Sequence, residues 1–306
     1  MLIIDPLNVC NLKCPLCPTG RGELPLENGR MKYESFEKLI DQIAPHTLKI
    51  MLYNWGEPFL HKDILKFIRH AHDHKISTAL SSNLNFLPKQ GGAEGIVEAG
   101  LDDMIISCDG LTQKTYEKYR VGGNVKTVFE NMRQVAKAKR RLGKKNPVIE
   151  FQFLVFEHNE HEIPRVKKMA YKYGADFVRI MPPFIGENEA GIRPARNPEY
   201  RKHFNPEDDL KPDVFVKDAD LTSLAEKNKP PLSCFGPWRS MVINWNGEID
   251  PCCFKNYHNR FGNVFETPFD EIWNSDVYRY SRQWITGKAE NNPDYEIVCR
   301  GCSGYH

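Results

Sequence analysis

Three cysteines within eight residues follow the first apolar run of this 306-residue chain: Cys10-Asn11-Leu12-Lys13-Cys14-Pro15-Leu16-Cys17. A C-x3-C-x2-C loop this short can turn all three thiols toward one point. Three thiolates can hold three corners of a 4Fe–4S cube, and the fourth iron is then open to a small chelating molecule. A structural zinc takes four ligands, and no nearby His or fourth Cys completes such a set. Of the other six cysteines, Cys108 stands alone, while Cys234, Cys252, Cys253, Cys299 and Cys302 gather toward the other end. An odd count of nine, behind a start without a basic and apolar leader, argues against a disulfide framework. It points to a cytoplasmic, reducing setting in which thiolates are free to bind metal. No apolar run approaches the ~18 residues of a membrane span. Lys plus Arg is 42 against 40 for Asp plus Glu, without the basic excess of a nucleic-acid partner.

Apolar runs at Leu2–Ile4, Leu48–Tyr53, Ile76–Leu80, Met104–Ser107, Ile149–Phe156 and Phe177–Met181 predict strands. Amphipathic stretches at Tyr33–Ile43, Lys62–His74, Glu94–Ala99, Val125–Arg141 and Glu160–Tyr173 predict the helices between them. Alternating β and α units imply a parallel sheet with helices outside. Six units are too few for a closed eight-stranded barrel, so the expected fold is α/β, a partial (β/α)6 barrel over residues 1–185. Functional residues then belong at the carboxyl ends of its strands. A proline-rich, charged bridge is expected over 186–232, and a small Cys-rich domain over 233–306. That last segment carries a hairpin signal, Val242 to Ile249, with Asn246-Gly247 at the turn. With little core of its own, it calls for a metal staple.

The first loop and the segments after it resemble the radical S-adenosylmethionine (SAM) superfamily, whose signature is C-x3-C-x2-C after strand one. Tyr53-Asn54-Trp55-Gly56-Glu57-Pro58 is similar to that family's Gly-Gly-Glu-Pro motif, with Trp55 in place of the first Gly. Ser81-Ser82-Asn83 resembles its Thr-Asn-Gly segment, and Ser107-Cys108-Asp109-Gly110 its Ser-x-Asp-Gly segment. Tyr119-Arg120 resembles a Tyr-Arg pair. The resemblance implies a 4Fe–4S cluster on Cys10, Cys14 and Cys17, with SAM chelated to its open iron. Backbone carbonyls near Gly56 and the Glu57 carboxylate would hold the methionine ammonium, and Arg120 its carboxylate. Leu154 would pack on the adenine, and Ser82, Asn83, Ser107 and Asp109 complete the implied cofactor site. One-electron reduction then yields a 5′-deoxyadenosyl radical, and the protein positions the C–H to be attacked. A flavodoxin-type donor is the implied redox partner, with the basic run Lys137–Lys145 as a place for it to dock; the same run also suits the last turn of a helix.

Cys234-x12-Gly247-x4-Cys252, closed by Cys299-x2-Cys302, resembles the auxiliary-cluster domains called SPASM and twitch. It implies a second 4Fe–4S cluster on Cys234, Cys252, Cys299 and Cys302; a structural zinc is the alternative. Gly236-Pro237-Trp238 and Phe269 to Trp273 resemble packing elements of that domain, with Trp238 alternatively facing substrate. Cys253, beside a ligand, is a spare thiol, an alternative ligand or a hydrogen-atom donor. Strand alternation makes Cys108 a core residue if Ser107 and Asp109 face the cofactor. Glu150, Gln152, Glu157, His158, Asp176 and Arg179 lie on or beside the last two strands. Of these, Arg179, within Phe177-Val178-Arg179-Ile180-Met181, is the foremost substrate-binding candidate, since a buried Arg needs an anionic or carbonyl partner.

The expected reaction is hydrogen abstraction from a small polar substrate such as a sugar, cyclitol or aminoglycoside, ending in oxidation or, with Cys253 returning a hydrogen atom, epimerisation. The alternative substrate is a peptide or protein, although only nine residues before Cys10 leave no room for an amino-terminal peptide-recognition domain. A non-catalytic iron–sulfur or zinc protein would have no use for Glu57, Ser107, Asp109 and Arg120.

Overall fold

The computed structural model describes residues 1–183, 191–201, 234–252, 261–290, 292–295, 297 and 299–300. Cys253, Cys302 and most of the expected bridge over 186–232 lie outside the described residues.

The strands are β1 (Leu2–Ile4), β2 (Lys49–Met51), β3 (Ser77–Ser82), β4 (Asp103–Ser107), β5 (Val148–Leu154) and β6 (Phe177–Met181). They pair in sequence order and in parallel, as repeated right-handed βα units require. The short α1 (Pro18–Arg21) follows the cysteine loop. The barrel helices are α2 (Tyr33–Ile43), α3 (Ile64–Asp73), α4 (Gly92–Glu98), α6 (Val125–Arg141) and α7 (Ile163–Tyr173), with the short α5 (Gln113–Tyr116) before α6. Their apolar stripes meet the sheet. In α2, Phe36, Leu39, Ile40 and Ile43 recur at intervals of three and four and are all buried. In α3, Ile64, Phe67, Ile68 and Ala71 do the same, and Phe36 stacks on Phe67 with ring centroids 4.1 Å apart.

Alternation sorts the strands into two faces. Ile106, Phe151 and Val178 are fully buried toward the helices. Their neighbours Ser107, Gln152 and Arg179 face the inside of the half-barrel and are register partners across β4, β5 and β6. Cys108 is fully buried in the core, as alternation predicts.

Among the described residues, two further strands extend the six of the partial barrel. The hairpin read from Asn246-Gly247 forms β7 (Val242–Ile243) and β8 (Ile249–Asp250), and it continues the barrel sheet, with β7 parallel to β1. Ile3 and Asp5 donate their amides to the carbonyls of Met241 and Ile243, at 2.9 and 2.8 Å. The physical reason is the edge of β1: a buried three-residue strand leaves backbone groups that need a partner, and a two-strand hairpin is unstable alone. Beyond it lie the short α8 (Gly236–Arg239) and α9 (Phe269–Trp273), then α10 (Asp276–Ile285). Ile272 is buried and Trp273 packs on Tyr278 at 5.6 Å, as expected of packing elements, but Trp238 is 39% exposed.

The basic run closes α6, where Lys139 pairs with Asp176 at 2.6 Å. That is the amino-terminal end of the strands, opposite the cysteine loop. It is the wrong end for a donor delivering electrons to Cys10–Cys17. No helix among the described residues is long and apolar enough to cross a membrane.

Candidate active site

A cavity of about 200 Å³ opens at the carboxyl ends of β1 to β4. Cys10, Cys14 and Cys17 line it together with Gly56, Glu57, Ser82, Asn83, Ser107 and Arg120. The structure therefore brings to one place nine predicted residues drawn from five separate segments. Asp109 and Leu154 lie next to this lining, Asp109 bonded to Arg120 and Leu154 packed against Cys14, Tyr119 and Phe156.

The cysteine loop is fixed by its neighbours. Cys17 donates its amide to the Cys14 carbonyl at 3.1 Å, and Lys13 to Val121 at 3.0 Å. Gly20 lies so close to the Cys14 backbone that a methyl group there would sit 2.5 Å from its N and O. All three cysteines are free thiols. Burial and the charges of Glu57, Cys14 and Cys17 push the Cys10 thiol up to about 12, and burial pushes Cys14 up. Three thiolates side by side need positive charge among them, and the iron core of a cluster supplies it. The donor set thus fits a 4Fe–4S cluster with one iron open to the cavity.

The Glu57 loop is clamped from three sides. Glu57 donates its amide to Val9 at 2.9 Å, and the Thr19 hydroxyl donates to the Trp55 carbonyl at 2.8 Å. The Asp5 carboxylate accepts from the Trp55 amide at 3.3 Å. A methyl group on Gly56 would run into the Leu7 carbonyl oxygen, so only Gly lets this loop lie against the end of β1. The Glu57 carboxylate accepts from Ser82 Oγ at 2.7 Å, the Asn83 amide at 2.8 Å and the Phe59 amide at 3.2 Å. Burial nonetheless raises it to about 7, because those bonds only partly replace lost hydration. Ser82 also accepts from the Leu84 amide at 2.8 Å, so its hydroxyl orients Glu57 and the turn. Asn83 Nδ2 donates to Asn11 at 3.0 Å, joining this turn to the cysteine loop.

Arg120 is the cation of the cavity. Its Nε donates to Asp109 Oδ2 at 2.6 Å, and Asp109 is fully buried. Asp109 Oδ1 accepts the Leu154 amide at 2.7 Å. Asn159 Nδ2 reaches the carbonyls of Asp109 and Leu154, both at 2.9 Å. The Asp109 carboxylate therefore aims Arg120 into the cavity and fixes the end of β5. Ser107 Oγ lies 3.2 Å from Ser81 Oγ.

Among the auxiliary cysteines, Cys234, Cys252 and Cys299 are half-buried and lie outside the cavity. Cys252 and Cys299 are both near enough to the buried Tyr278 to disfavour its phenolate.

The strand-end polar residues divide. Glu157 pairs with Arg196, and Asp176 caps β5 by accepting the Ile149 amide at 2.7 Å. His158 stacks on Phe156 at 5.3 Å, and burial pushes it down to about 4. Arg179 is not buried, contrary to the expectation: its side chain is 42% exposed because β6 edges the sheet. Its partner is Glu150, 2.5 Å away on the neighbouring strand. Sequence reasoning missed Asp5 and Asn159. Asp5 had a signal, an acid inside the apolar run Leu2 to Leu7; Asn159 had none.

The radical SAM sequence profile matches residues 4–170, more than half of the chain. The chain belongs to the radical SAM superfamily. The SPASM iron–sulfur cluster-binding domain matches residues 234–303. This radical SAM protein accordingly takes a 4Fe–4S cluster with SAM, and auxiliary iron–sulfur binding in its SPASM region. It is 23% identical over 310 residues to the tungsten-containing aldehyde ferredoxin oxidoreductase cofactor-modifying protein of Pyrococcus furiosus, covering 92% of this chain and 82% of that one. Its fold is similar to that of SuiB of Streptococcus suis bound to S-adenosylmethionine, with TM-score 0.65 and 15% identity over 98% of this chain and 77% of that one. It is also similar to BtrN in complex with AdoMet and 2-DOIA, with TM-score 0.54 and 15% identity over 96% and 94%.

Two outcomes test this geometry. Asp109→Ala leaves Arg120 buried without its counter-charge and should cost about 3–5 kcal/mol, read as a lower guanidinium midpoint under anaerobic conditions; a loss below about 1 kcal/mol would remove Asp109 from this role. Burial raises Asp5 to about 7. The folded state therefore holds a proton that the unfolded state has lost, and stability falls as pH rises from about 4 to 7. Asp5→Asn should remove Asp5's share of that fall and leave that of Glu57, so its Tm relative to the parent rises by several degrees from pH 5 to pH 7.5. A difference that stays flat with pH contradicts the assignment.

Proposed function

We propose that this chain cleaves SAM reductively and abstracts hydrogen from a C–H of a small polar substrate, a sugar, cyclitol or aminoglycoside, giving oxidation or epimerisation. When bound, the cluster and SAM supply a 5′-deoxyadenosyl radical. Cys10, Cys14 and Cys17 are the cluster ligands in this reading. Glu57, with the carbonyls beside Gly56, receives the methionine ammonium, Arg120 its carboxylate, and Leu154 the adenine. Ser82, Asn83, Ser107 and Asp109 hold those groups in place. Cys234, Cys252, Cys299 and Cys302 hold one auxiliary 4Fe–4S cluster, with Cys253 as the candidate hydrogen-atom donor of an epimerase. A flavodoxin-type protein delivers the electron from the cysteine-loop end.

The observation that carries the substrate class is the polar layer beside the cavity. Ser81, Ser107, Gln152 and Arg179 sit on the inward face of β3 to β6, with Glu150 below Arg179. Gln152 Nε2 donates to Met181 Sδ at 2.9 Å, a weak acceptor that a substrate hydroxyl can displace. Paired donors and acceptors on a concave face suit a polyol better than an apolar ring. A peptide substrate is the second reading, supported by likeness in fold to SuiB, which was also solved bound to the precursor peptide SuiA.

Release of 5′-deoxyadenosine, followed by mass spectrometry with SAM and reductant, tests both. Polyols and aminoglycosides should stimulate release, and Gln152→Leu should raise KM about tenfold with little change in unstimulated cleavage. Stimulation by peptides alone would reverse the order of the two readings. In D2O, deuterium at the attacked carbon that is lost in Cys253→Ala marks epimerisation; an oxidised product in unchanged yield from that variant marks oxidation.

A further inference from the structure

The helix carboxyl ends lie at the amino-terminal side of the sheet, away from the cysteine loop. There α2 and α3 bring together Asp41, His70 and His74. One donor atom of each lies within 4.8 Å of the others. His70 and His74 are four residues apart on α3, His74 being its cap, so both rings project on the same side; their centroids are 4.5 Å apart. Nε2 of His74 is 3.3 Å, and Nε2 of His70 3.7 Å, from Asp41 Oδ1.

The protons on these rings are placed by their outer nitrogens. His74 Nδ1 faces the His70 carbonyl at 2.9 Å. A carbonyl only accepts, so that nitrogen carries a hydrogen and Nε2 is the ring atom turned toward Asp41. His70 Nδ1 is 3.4 Å from the Tyr33 hydroxyl. With Glu37 beside it to accept a hydrogen bond, the Tyr33 hydroxyl keeps its proton and its oxygen can accept from Nδ1–H. Nε2 of His70 is buried and has no hydrogen-bond partner among the described residues. Two imidazole nitrogens thus converge on one carboxylate oxygen. Such a convergence is satisfied either by a proton shared with the carboxylate or by a bound metal cation. An outer hydrogen bond that fixes the tautomer and leaves the inner nitrogen free is the usual support of a metal-binding histidine.

We propose that Asp41, His70 and His74 bind a divalent transition metal of the zinc class, which staples α2 to α3. Ligands about 2.0–2.1 Å from a tetrahedral zinc lie about 3.3 Å apart, the spacing of His74 and Asp41. The side chain of Asp41 is 58% exposed, so an ion has a path in and water can take the fourth position. Imidazole and carboxylate donors suit zinc, nickel or copper over magnesium or calcium.

The test equilibrates cluster-loaded protein with ZnCl2 and measures zinc, iron and sulfide in the same samples. The parent should hold about one more zinc per chain than either His74→Gln or Asp41→Ala, with iron and sulfide identical in all three. Zinc taken by spare thiols is common to the three chains and drops out of the difference. Zinc should also raise the Tm of the parent by a few degrees and leave both variants unmoved. Asp41 is exposed, so its variant keeps the fold if that of His74 does not. Equal zinc in all three chains, or none in the parent, overturns the proposal.

Discussion

The site depends on one buried charge. Asp109 is fully enclosed at the end of β4, and its carboxylate has two partners, the Arg120 guanidinium and the Leu154 amide. A buried carboxylate is tolerated only when paired and hydrogen-bonded, so these partners are obliged to stay. The obligation aims Arg120 into the cavity and fixes where β5 ends. Arg120 in turn lies 4.0 Å from Cys14 Sγ, which ties the charge network to the cysteine loop. The Glu57 loop is held by the same logic: a buried acid on β1's side, Asp5, and a glycine that lets backbone meet backbone.

Much of this was legible in the sequence. The helical stripe of α2 and the run of α6 match their expected bounds at Tyr33–Ile43 and Val125–Arg141, because spacing of three and four is a local property. The residues expected to bind the cofactor converge at the strand ends, as the strand-end rule requires. Two things were not legible, each for a long-range reason, and a third was legible but passed over. The hairpin at Asn246-Gly247 was visible as a hairpin, but its pairing with β1 rests on an edge more than 230 residues away. Arg179 read as buried because its neighbours are apolar, yet on an edge strand the inward face stays open. Asp5 sits in an apolar run just as Arg179 does, and the same argument applied to it would have found the clamp on Trp55.

The two ends of the barrel carry different chemistry. At the carboxyl ends of the strands, sulfur donors and a buried ion pair surround a polar cavity suited to a charged cofactor. At the amino-terminal ends, ion pairs such as Lys139–Asp176 close the helices onto the sheet, and Asp41, His70 and His74 meet between α2 and α3. Stability concentrated at one end leaves the other free for loops that bind and react.

The central claim is that the Cys10, Cys14 and Cys17 loop carries a cluster of its own, separate from the cysteines beyond residue 233. Iron and sulfide per chain after anaerobic reconstitution test it most directly. The parent should hold about eight irons, as two clusters of four. Replacing Cys10, Cys14 and Cys17 together by alanine should leave about four, with the carboxyl-terminal cluster intact. A triple variant that keeps the full iron content of the parent would contradict the claim.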